Sequence, residues 1–410
     1  MSEPRHDAQV SPPLVSVNPS YVLRVLNNLI AIDSVNPSLV PGARGEGEIA
    51  RYIASEMEGL GLTVRMVEPA PGRPSVVGRL AGKGGGPSLM LNGHADTVAA
   101  GEMHAPFVPR LEGQRLYGRG AYDMKGAVAA CLGAVKAIRD SGVAIAGDVL
   151  VVTVADEEYA STGMQAILEA VQVDAAIVTE PTSLDVCVAH KGFAWIEVET
   201  RGRAAHGSQH ALGVDANARM GRILVELERL DADLAARAPH PLLGRASLHV
   251  ATLAGGSGMS TYSDRCQAGV ERRTLPGETG QSALAEIQRM LDRVAAPDPD
   301  LPASARLLLA REPFEVDGSA RIVRVVTDAA SRALGRPAIL RGENPWMDAA
   351  LLAQAGVETV VIGPHGFGAH GPVEWVDVDS VNTLSAILAE ASLEYCGQAA
   401  ALDGIRAHSQ

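Results

Sequence analysis

Side chains that bind metal ions occur at five separated places along the sequence. They are His94 in "GHADTV", Asp123 in "AYDMKG", Glu158 in "ADEEYA", Glu180 in "TEPT" and His370 in "GAHGP". Each stands where an apolar, strand-like run gives way to a loop or a glycine-rich turn. Binding sites of open α/β sheets collect at the carboxyl ends of the strands, so we expect the five side chains to converge. Two histidines and several carboxylates, with no cysteine, suit a catalytic zinc, cobalt or manganese site better than a closed structural zinc site.

The acidic triplet after residues 149–154 also indicates a metal site. This apolar run predicts a buried strand, yet Asp156, Glu157 and Glu158 follow it after a single alanine. Crowded carboxylates repel one another and resist desolvation, and a bound cation would offset both costs. Adjacent Glu157 and Glu158 suggest a division of labour in which one binds metal and the other accepts a proton from water.

Each of these signals has an ordinary structural explanation when taken alone. A His-x-Asp pair such as His94 and Asp96 is usually structural, and an acidic triplet is usually a solvated turn. Glu180 before Pro181 could belong to a helix N-cap, and His370 among glycines could lie in a surface loop. The occurrence of all five candidate ligands at strand ends in one chain favours the metal site.

The surrounding elements indicate an α/β protein of two domains. Helix-like and strand-like segments alternate as far as residue 192, which predicts a layered domain with a largely parallel sheet. In residues 193–310 the pattern of predicted elements changes to two strands, a helix, two strands, a helix and a final strand. This pattern predicts a small α+β sandwich. The α/β alternation then resumes. We therefore expect a disordered tail at 1–16, a discontinuous catalytic domain at 17–192 and 311–410, and an inserted domain at 193–310.

Composition narrows the classes of partner. The formal charge of −13 argues against nucleic acid or an anionic membrane surface as a partner, and no apolar run reaches the roughly 20 residues of a membrane span. The N-terminal residues lack the apolar segment of a signal peptide. Four scattered cysteines in apolar surroundings are expected to be reduced, which favours a cytoplasmic location. They are Cys131, Cys187, Cys266 and Cys396.

As a set, the motifs resemble the M20 metallopeptidase family, the group of acetylornithine deacetylase, succinyl-diaminopimelate desuccinylase, aminoacylase and glutamate carboxypeptidase. The resemblance rests on "GHADTV", "GRGAYDMKG", "ADEEYASTG", "TEPT", "AAHGSQHALGVDA", "ERRTLPGE" and "GPHGFGAHGPVEWV", and it covers nearly the whole chain. It implies a zinc-exopeptidase-like, three-layer α/β catalytic domain with an inserted α+β sandwich that serves as lid and dimerisation domain.

The resemblance also implies roles for single residues. It implies two divalent metal ions, zinc first with cobalt or manganese as alternatives, bridged by Asp123. His94 and Glu180 would complete one site, and Glu158 and His370 the other. Glu157 would be the general base and later the acid, and the carboxylate of Asp96 would orient His94.

Residues around the substrate are less well matched to the family. The resemblance implies that His206 in "AAHGS" stabilises the tetrahedral intermediate, in dimeric members from the opposite subunit, and that Arg273 in "ERRTLPGE" holds a substrate carboxylate. A charge on a strand surface explains Arg273 equally well. Ser260 and Ser263 replace an asparagine that contacts substrate and a proline, and His210 replaces another proline. These differences concern the identity of the substrate.

We therefore expect a metal-dependent amidohydrolase that acts on a small N-acyl, N-acetyl-like amino acid by metal-activated water. A dipeptidase or carboxypeptidase of the same family is the alternative. A second alternative is an inactive metal-binding protein, which would not need Glu157. The expected assembly is a homodimer formed through the inserted domain.

Overall fold

The computed structural model describes residues 15–296 and 302–398. The predicted tail at 1–16 therefore lies outside the described residues except for its last two positions. The described chain forms two compact units. The first unit comprises the described parts of 1–186, 318–340 and 352–410, and the second unit comprises 187–317 and 341–351.

The helices of the described chain are, in order, α1 (Pro19–Ala31), α2 (Gly47–Gly59), α3 (Gly126–Ser141), α4 (Thr162–Ala170), α5 (Ala216–Ala236), α6 (Gly280–Ala295), α7 (Arg321–Leu334), α8 (Ala349–Gln354) and α9 (Val378–Cys396). A single π-helical turn, Ala121–Lys125, precedes α3. Across residues 15–296 and 302–398, every helix is too short or too polar to cross a bilayer.

The strands of the described chain are β1 (Thr63–Val67), β2 (Ser75–Leu80), β3 (Leu89–His94), β4 (Arg110–Glu112), β5 (Arg115–Tyr117), β6 (Val149–Val154), β7 (Ala175–Val178), β8 (Val186–His190), β9 (Gly192–Arg201), β10 (Ser247–Gly255), β11 (Arg265–Thr274), β12 (Ala303–Arg311), β13 (Phe314–Glu315), β14 (Leu340–Glu343), β15 (Glu358–Val361), β16 (Gly366–Phe367) and β17 (Trp375–Asp377).

The first unit is built on a mixed sheet in the order β1-β2-β6-β3-β7-β15. Strands β6, β3, β7 and β15 run parallel, whereas β1 and β2 join antiparallel at one edge. Strands β3, β6 and β7 are buried along their whole length, as expected of parallel strands covered on both faces. Helices α1, α3, α7 and α9 pack on one another, while α2 and α4 pack against β1 and β2. The predicted α/β class is confirmed, with an antiparallel edge that the sequence did not indicate.

The second unit contains an antiparallel sheet in the order β10-β11-β9-β12, with helices α5 and α6 packed on it. Strand β11 alternates buried and partly exposed residues, because one face covers an apolar core of Ile196, Val198, Ile223, Leu227 and Ile287. The predicted α+β architecture is confirmed. Within 193–310 one strand, β9, precedes α5, where the sequence predicted two.

A third, small sheet was not predicted. It is antiparallel in the order β16-β17-β5-β4, and its strands have two or three residues. Strands this short show no periodicity that a sequence pattern could reveal. The loop between β16 and β17 carries His370, so this sheet positions one of the predicted metal ligands.

Candidate active site

Three predicted ligands lie at the same edge of the main sheet. His94 is the last residue of β3, Glu158 follows β6, and Glu180 follows β7. Strand β3 pairs in parallel with both β6 and β7, so all three strands end on the same side. The carboxyl ends of parallel strands therefore bring these side chains together, as the sequence predicted.

The two other predicted ligands reach the site from loops. Asp123 lies in the π-helical turn before α3. His370 has a positive φ of 62°, and the nearby Gly368 has a φ of 88°. A Cβ atom at Gly368 would lie 1.8 Å from the carbonyl oxygen of Val373, so only glycine fits there. This tight turn directs the His370 loop toward the sheet edge.

The carboxylate of Asp123 stands between two groups of side chains. Its Oδ1 lies 3.1 Å from Nε2 of His94, which is itself 3.6 Å from Oε1 of Glu180. Its Oδ2 lies 3.4 Å from Nε2 of His370, which is 2.8 Å from Oε2 of Glu158. Within each trio the ligand atoms lie within 4.8 Å of one another. Ligands of a tetrahedral zinc ion lie about 3.3 Å apart for bonds of roughly 2.0 Å, so both trios have the spacing that a metal ion requires.

The chemistry of the second trio favours a bound cation. Burial, together with the charge of Asp123, raises the pKa of Glu158 to about 7. Hydrogen bonds to Asp123 and Glu158 raise the pKa of His370 to about 10. Buried Oε1 of Glu158 has no hydrogen-bond partner among the described residues. A divalent cation fits here because it would stabilise the carboxylates, displace the imidazole proton and give that oxygen a partner.

His94 is held by the main-chain oxygen of Asp96, whereas the prediction assigned this contact to the carboxylate of Asp96. Its Nδ1 is 2.9 Å from the main-chain carbonyl oxygen of Asp96 and 3.7 Å from the nearest carboxylate oxygen of the same residue. A carbonyl oxygen only accepts, so Nδ1–H is the donor, and Nε2 is the ring nitrogen that faces Asp123 and Glu180. Asp96 therefore orients His94 through its backbone.

The carboxylate of Asp96 holds the acidic turn instead. Its Oδ1 accepts the main-chain N–H of Glu157 at 3.1 Å, and its Oδ2 accepts that of Glu158 at 3.2 Å. The side chain of Asn36 donates to Oδ2 at 2.8 Å. Both glutamates are thereby fixed at their backbones, with the carboxylate of Glu158 beside His370.

Asp156, the first member of the acidic triplet, has a structural role. Its φ is +66°, and its main-chain oxygen accepts the N–H groups of Ala160 and Ser161 in a tight turn. Its carboxylate accepts Nη2 of Arg73 at 3.0 Å, and Nε of Arg73 lies 2.5 Å from the fully buried Glu46. Sequence reasoning missed Arg73 and Glu46, because each is locally only a charged residue in a loop or at a helix start.

Two predicted substrate residues come together in the second unit. His206 is exposed, and its Nδ1 lies 2.9 Å from Oγ of Ser208. The adjacent Gly207 donates its main-chain N–H to the carbonyl oxygen of Ser260 at 2.7 Å, and His206 pairs with Thr261 in a short β-bridge. The "AAHGS" and "GGSGMS" loops therefore form one structure.

Arg273 lies on β11, also in the second unit. Its Nη2 donates to the carbonyl oxygen of Asn344 at 2.6 Å, and Nη1 is 3.4 Å from Glu271. The guanidinium lies over the ring of Phe193, 5.8 Å from its centroid. Burial lowers the pKa of Arg273 from its ordinary value. The side chain is thus oriented by its neighbours and only partly exposed, unlike a mobile charge on a strand surface.

Comparison with known proteins identifies the class. The model of peptidase family M20/M25/M40 matches residues 90–394, and the chain belongs to this family. This family comprises metallohydrolases that act on amide bonds, and the chain is an enzyme of this class.

Two curated relatives match most of the chain. Acetylornithine deacetylase from Myxococcus xanthus is 29% identical over 389 residues, which cover 91% of this chain and 97% of the relative. N-formyl-4-amino-5-aminomethyl-2-methylpyrimidine deformylase from Bacillus subtilis is 27% identical over 391 residues, covering 87% of this chain and 91% of the relative.

A solved structure agrees in fold. A dinuclear metal-binding peptidase of the M20 family from Bacillus subtilis matches with a TM-score of 0.72 and 17% identity, covering 92% of this chain and 98% of that chain.

Proposed function

We propose that the chain hydrolyses the amide bond of a small N-acyl amino acid with two divalent metal ions. The observation that carries this proposal is the position of Asp123, whose two oxygens face two separate histidine–carboxylate groups. His94 and Glu180 would hold one ion with Asp123, and Glu158 and His370 the other. Zinc is the expected metal, and cobalt or manganese would suit the same ligands.

The bound ions would polarise the amide carbonyl and lower the pKa of the attacking water. Glu157 would take the proton that this water loses as its oxygen bonds to the carbonyl carbon. Glu157 would then pass the proton to the nitrogen as the C–N bond breaks, which releases a carboxylic acid and an amine. The backbone hydrogen bond from Glu157 to Asp96 supports this role, because it fixes the base beside the ligand Glu158.

His206 and Arg273 are proposed to act on the substrate. His206 would donate a hydrogen bond to the carbonyl oxygen as negative charge develops there. Arg273 would bind a substrate carboxylate, and its contacts with Glu271 and Asn344 support this by orienting the guanidinium. Ser260 would line the same region through its loop beside His206.

The N-acyl class is supported by the two curated relatives, whose names denote removal of an acetyl group and of an N-formyl group. A panel of N-formyl, N-acetyl and N-succinyl amino acids together with dipeptides tests it, with kcat/KM as the measurement. We expect the short N-acyl compounds to be preferred by at least tenfold. A preference for dipeptides would instead establish the peptidase alternative.

The role of Glu157 separates an enzyme from an inactive metal-binding protein. Glu157→Gln should bind the same number of metal ions and lose about 10²–10⁴-fold in kcat, the usual contribution of a general acid–base. Near-normal turnover of a correctly folded Glu157→Gln protein would contradict the mechanism. Substituting Glu169, an acid on α4 outside the two ligand trios, provides a matched control.

We further propose a homodimer formed through the edge strand β10. This strand lies at one end of the second unit's sheet, and Leu253 on it is 56% exposed. Val225 on α5, which packs against β10, is also exposed. An uncovered apolar edge strand is a pairing surface, and a second copy would cover it. A cytoplasmic location is proposed as well, since the four cysteines are free and buried.

A further inference from the structure

A buried ion pair links the loop of Asp123 to the loop of His370. Arg119 and Glu374 are almost completely buried, and Nη1 of Arg119 donates to Oε2 of Glu374 at 2.6 Å. The two residues are 255 positions apart in the chain. Arg119 lies just before the π-helical turn that contains Asp123, and Glu374 lies four residues after His370.

The carboxylate of Glu374 also holds the backbone around Asp123. Its Oε1 accepts the main-chain N–H groups of Tyr122 at 2.9 Å and of Asp123 itself at 3.1 Å. Its Oε2 accepts the main-chain N–H of Gly120 at 2.9 Å. With Arg119, four donors converge on one carboxylate, which leaves the turn little freedom to rotate.

Arg119 fixes the other loop. Its Nη2 donates to the carbonyl oxygen of Gly371 at 2.8 Å, directly after His370. The backbone of His370 is in the left-handed region, which is unfavourable for a residue with a Cβ atom and persists only when its surroundings enforce it. The bond to Gly371 supplies part of that constraint.

We propose that Arg119 and Glu374 are positioning residues that set the separation of Asp123 and His370, and through it the affinity for metal. The inference rests on the proposed function, since it assigns these two residues to the same metal centre. Neither residue would contact metal or substrate. Their effect would pass through the backbone of the shared ligand Asp123 and of the exposed ligand His370.

Binding of Co²⁺ alone to the full chain tests the proposal without any substrate. Visible absorption of bound Co²⁺ reports ligand geometry, and competition with a chelator gives affinity. We expect Glu374→Gln to weaken Co²⁺ binding about 10–100-fold, the usual loss when an outer hydrogen-bond partner of a ligand is changed. Glu374→Ala should weaken it further, because Gln keeps one accepting oxygen.

Two further variants keep the test decisive if single changes fail to fold. Arg119→Met/Glu374→Gln removes both charges of the pair, so no unpaired buried charge remains, and it keeps one accepting oxygen for the main-chain N–H groups around Asp123. It should fold, yet bind Co²⁺ with lowered affinity and an altered spectrum. Arg272→Met is the matched control: Arg272 is equally buried, but it pairs with Glu278 and Glu286 in the second unit. The Arg272→Met variant should have the same Co²⁺ affinity and the same Co²⁺ spectrum as the wild type.

The outcomes of these experiments distinguish failure of the positioning proposal from failure of the proposed function. A wild-type chain that binds two Co²⁺ ions, with folded Arg119 and Glu374 variants that match it in affinity and spectrum, would overturn the inference and leave the proposed function intact. A wild-type chain that binds no Co²⁺ would overturn both. Weakened binding in the Arg119 and Glu374 variants, with Arg272→Met unaffected, would establish the positioning role.

Discussion

Asp96 accepts a hydrogen bond from the main-chain N–H of Glu157, at 3.1 Å from its Oδ1. Its other oxygen accepts two donors, the main-chain N–H of Glu158 and the side-chain amide of Asn36. The same residue accepts Nδ1–H of His94 through its carbonyl oxygen. One aspartate therefore fixes a proposed ligand histidine through its backbone and the proposed base through its carboxylate.

Substitution Asp96→Asn separates these functions. The asparagine side chain has one oxygen and one NH₂ group where aspartate has two oxygens. If the oxygen still accepts from Glu158 and Asn36, the NH₂ group faces the main-chain N–H of Glu157, and that hydrogen bond is lost. We therefore expect kcat to fall about 10–100-fold while two metal ions stay bound. Asp174→Asn is the control, since Asp174 also accepts a main-chain N–H, from Ser88 at 2.7 Å, but on the surface. Equal kcat in all three proteins would contradict this role of Asp96.

Arg73 should contribute strongly to stability. It is the cation between Glu46 and Asp156, and burial raises the pKa of Glu46 despite this pairing. Arg73→Met leaves two buried carboxylates without their cation, which should lower the free energy of unfolding by about 3–5 kcal/mol. Urea denaturation in the presence of a chelator measures this loss.

A surface ion pair provides the comparison for Arg73. Arg79 pairs with Asp148 at 2.6 Å, but its side chain is 53% exposed. Arg79→Met should cost no more than about 1 kcal/mol. The added change Glu46→Gln should restore part of the stability of Arg73→Met, because it removes one of the unpaired charges. Similar losses for Arg73→Met and Arg79→Met would refute the importance of the buried network.

The parts of the fold that the sequence predicted are those whose signal is local. Strand β6 was predicted at 149–154 because an apolar run ends abruptly at carboxylates, and the structure places it at Val149–Val154. His94, Glu158 and Glu180 could be found because each lies at or just after the end of an apolar strand, and the carboxyl ends of parallel strands meet at one edge of the sheet.

The parts that escaped prediction depend on contacts between distant positions. Glu374 meets Arg119 across 255 residues, and Arg73 meets Asp156 across 83. No periodicity marks these residues, and a charge in a loop is usually solvated. The backbone carbonyl contact of His94 was hidden for a related reason: a sequence shows the side chain of Asp96 but not the direction of its carbonyl group.

Metal removal and replacement should reveal two sites that share Asp123. We expect two ions per wild-type chain, one per chain in Glu180→Gln or Glu158→Gln, and almost none in Asp123→Ala. Metal at 100 times its Kd should raise the free energy of unfolding by about 2.7 kcal/mol per site. Elemental analysis and denaturation measure these quantities. A stoichiometry of one ion in a fully active wild-type enzyme would contradict the two-metal proposal.

His190 should make stability depend on pH. It is fully buried, and burial lowers its pKa to about 4, against roughly 6.5 in an unfolded chain. The unfolded chain therefore binds more protons between these values. The stability from neutral His190 is complete above pH 6.5 and is lost as the pH falls toward 4.

The measurement compares wild type with His190→Asn, whose amide can still donate to the carbonyl oxygen of Lys191 as Nδ1 does. Between pH 7.5 and 4.5 the wild type should lose roughly 2–3 kcal/mol more than the variant. A chelator in every sample keeps metal release out of the comparison. Parallel pH profiles for the two proteins would show that His190 does not titrate in this way.

The last prediction concerns His206 and the proposed dimer. His206 is exposed, and its loop is held by the bond from Gly207 to Ser260. If it stabilises the developing oxyanion, His206→Ala should lower kcat about 10²–10³-fold with metal content unchanged. Exposed Gln288 on α6, changed to alanine, is the control and should leave kcat unchanged.

A mixture of two inactive chains decides which subunit His206 serves. In a dimer of a His206→Ala chain with a Glu157→Ala chain, one site regains both groups if His206 acts across the interface. Random exchange makes half of the dimers mixed, with one restored site each, so activity should recover to about a quarter of wild type. Leu253→Asp in both chains should abolish this recovery, since a charge on the apolar edge of β10 disfavours strand pairing. A mixture that stays inactive after confirmed subunit exchange would assign His206 to its own subunit or exclude it from catalysis.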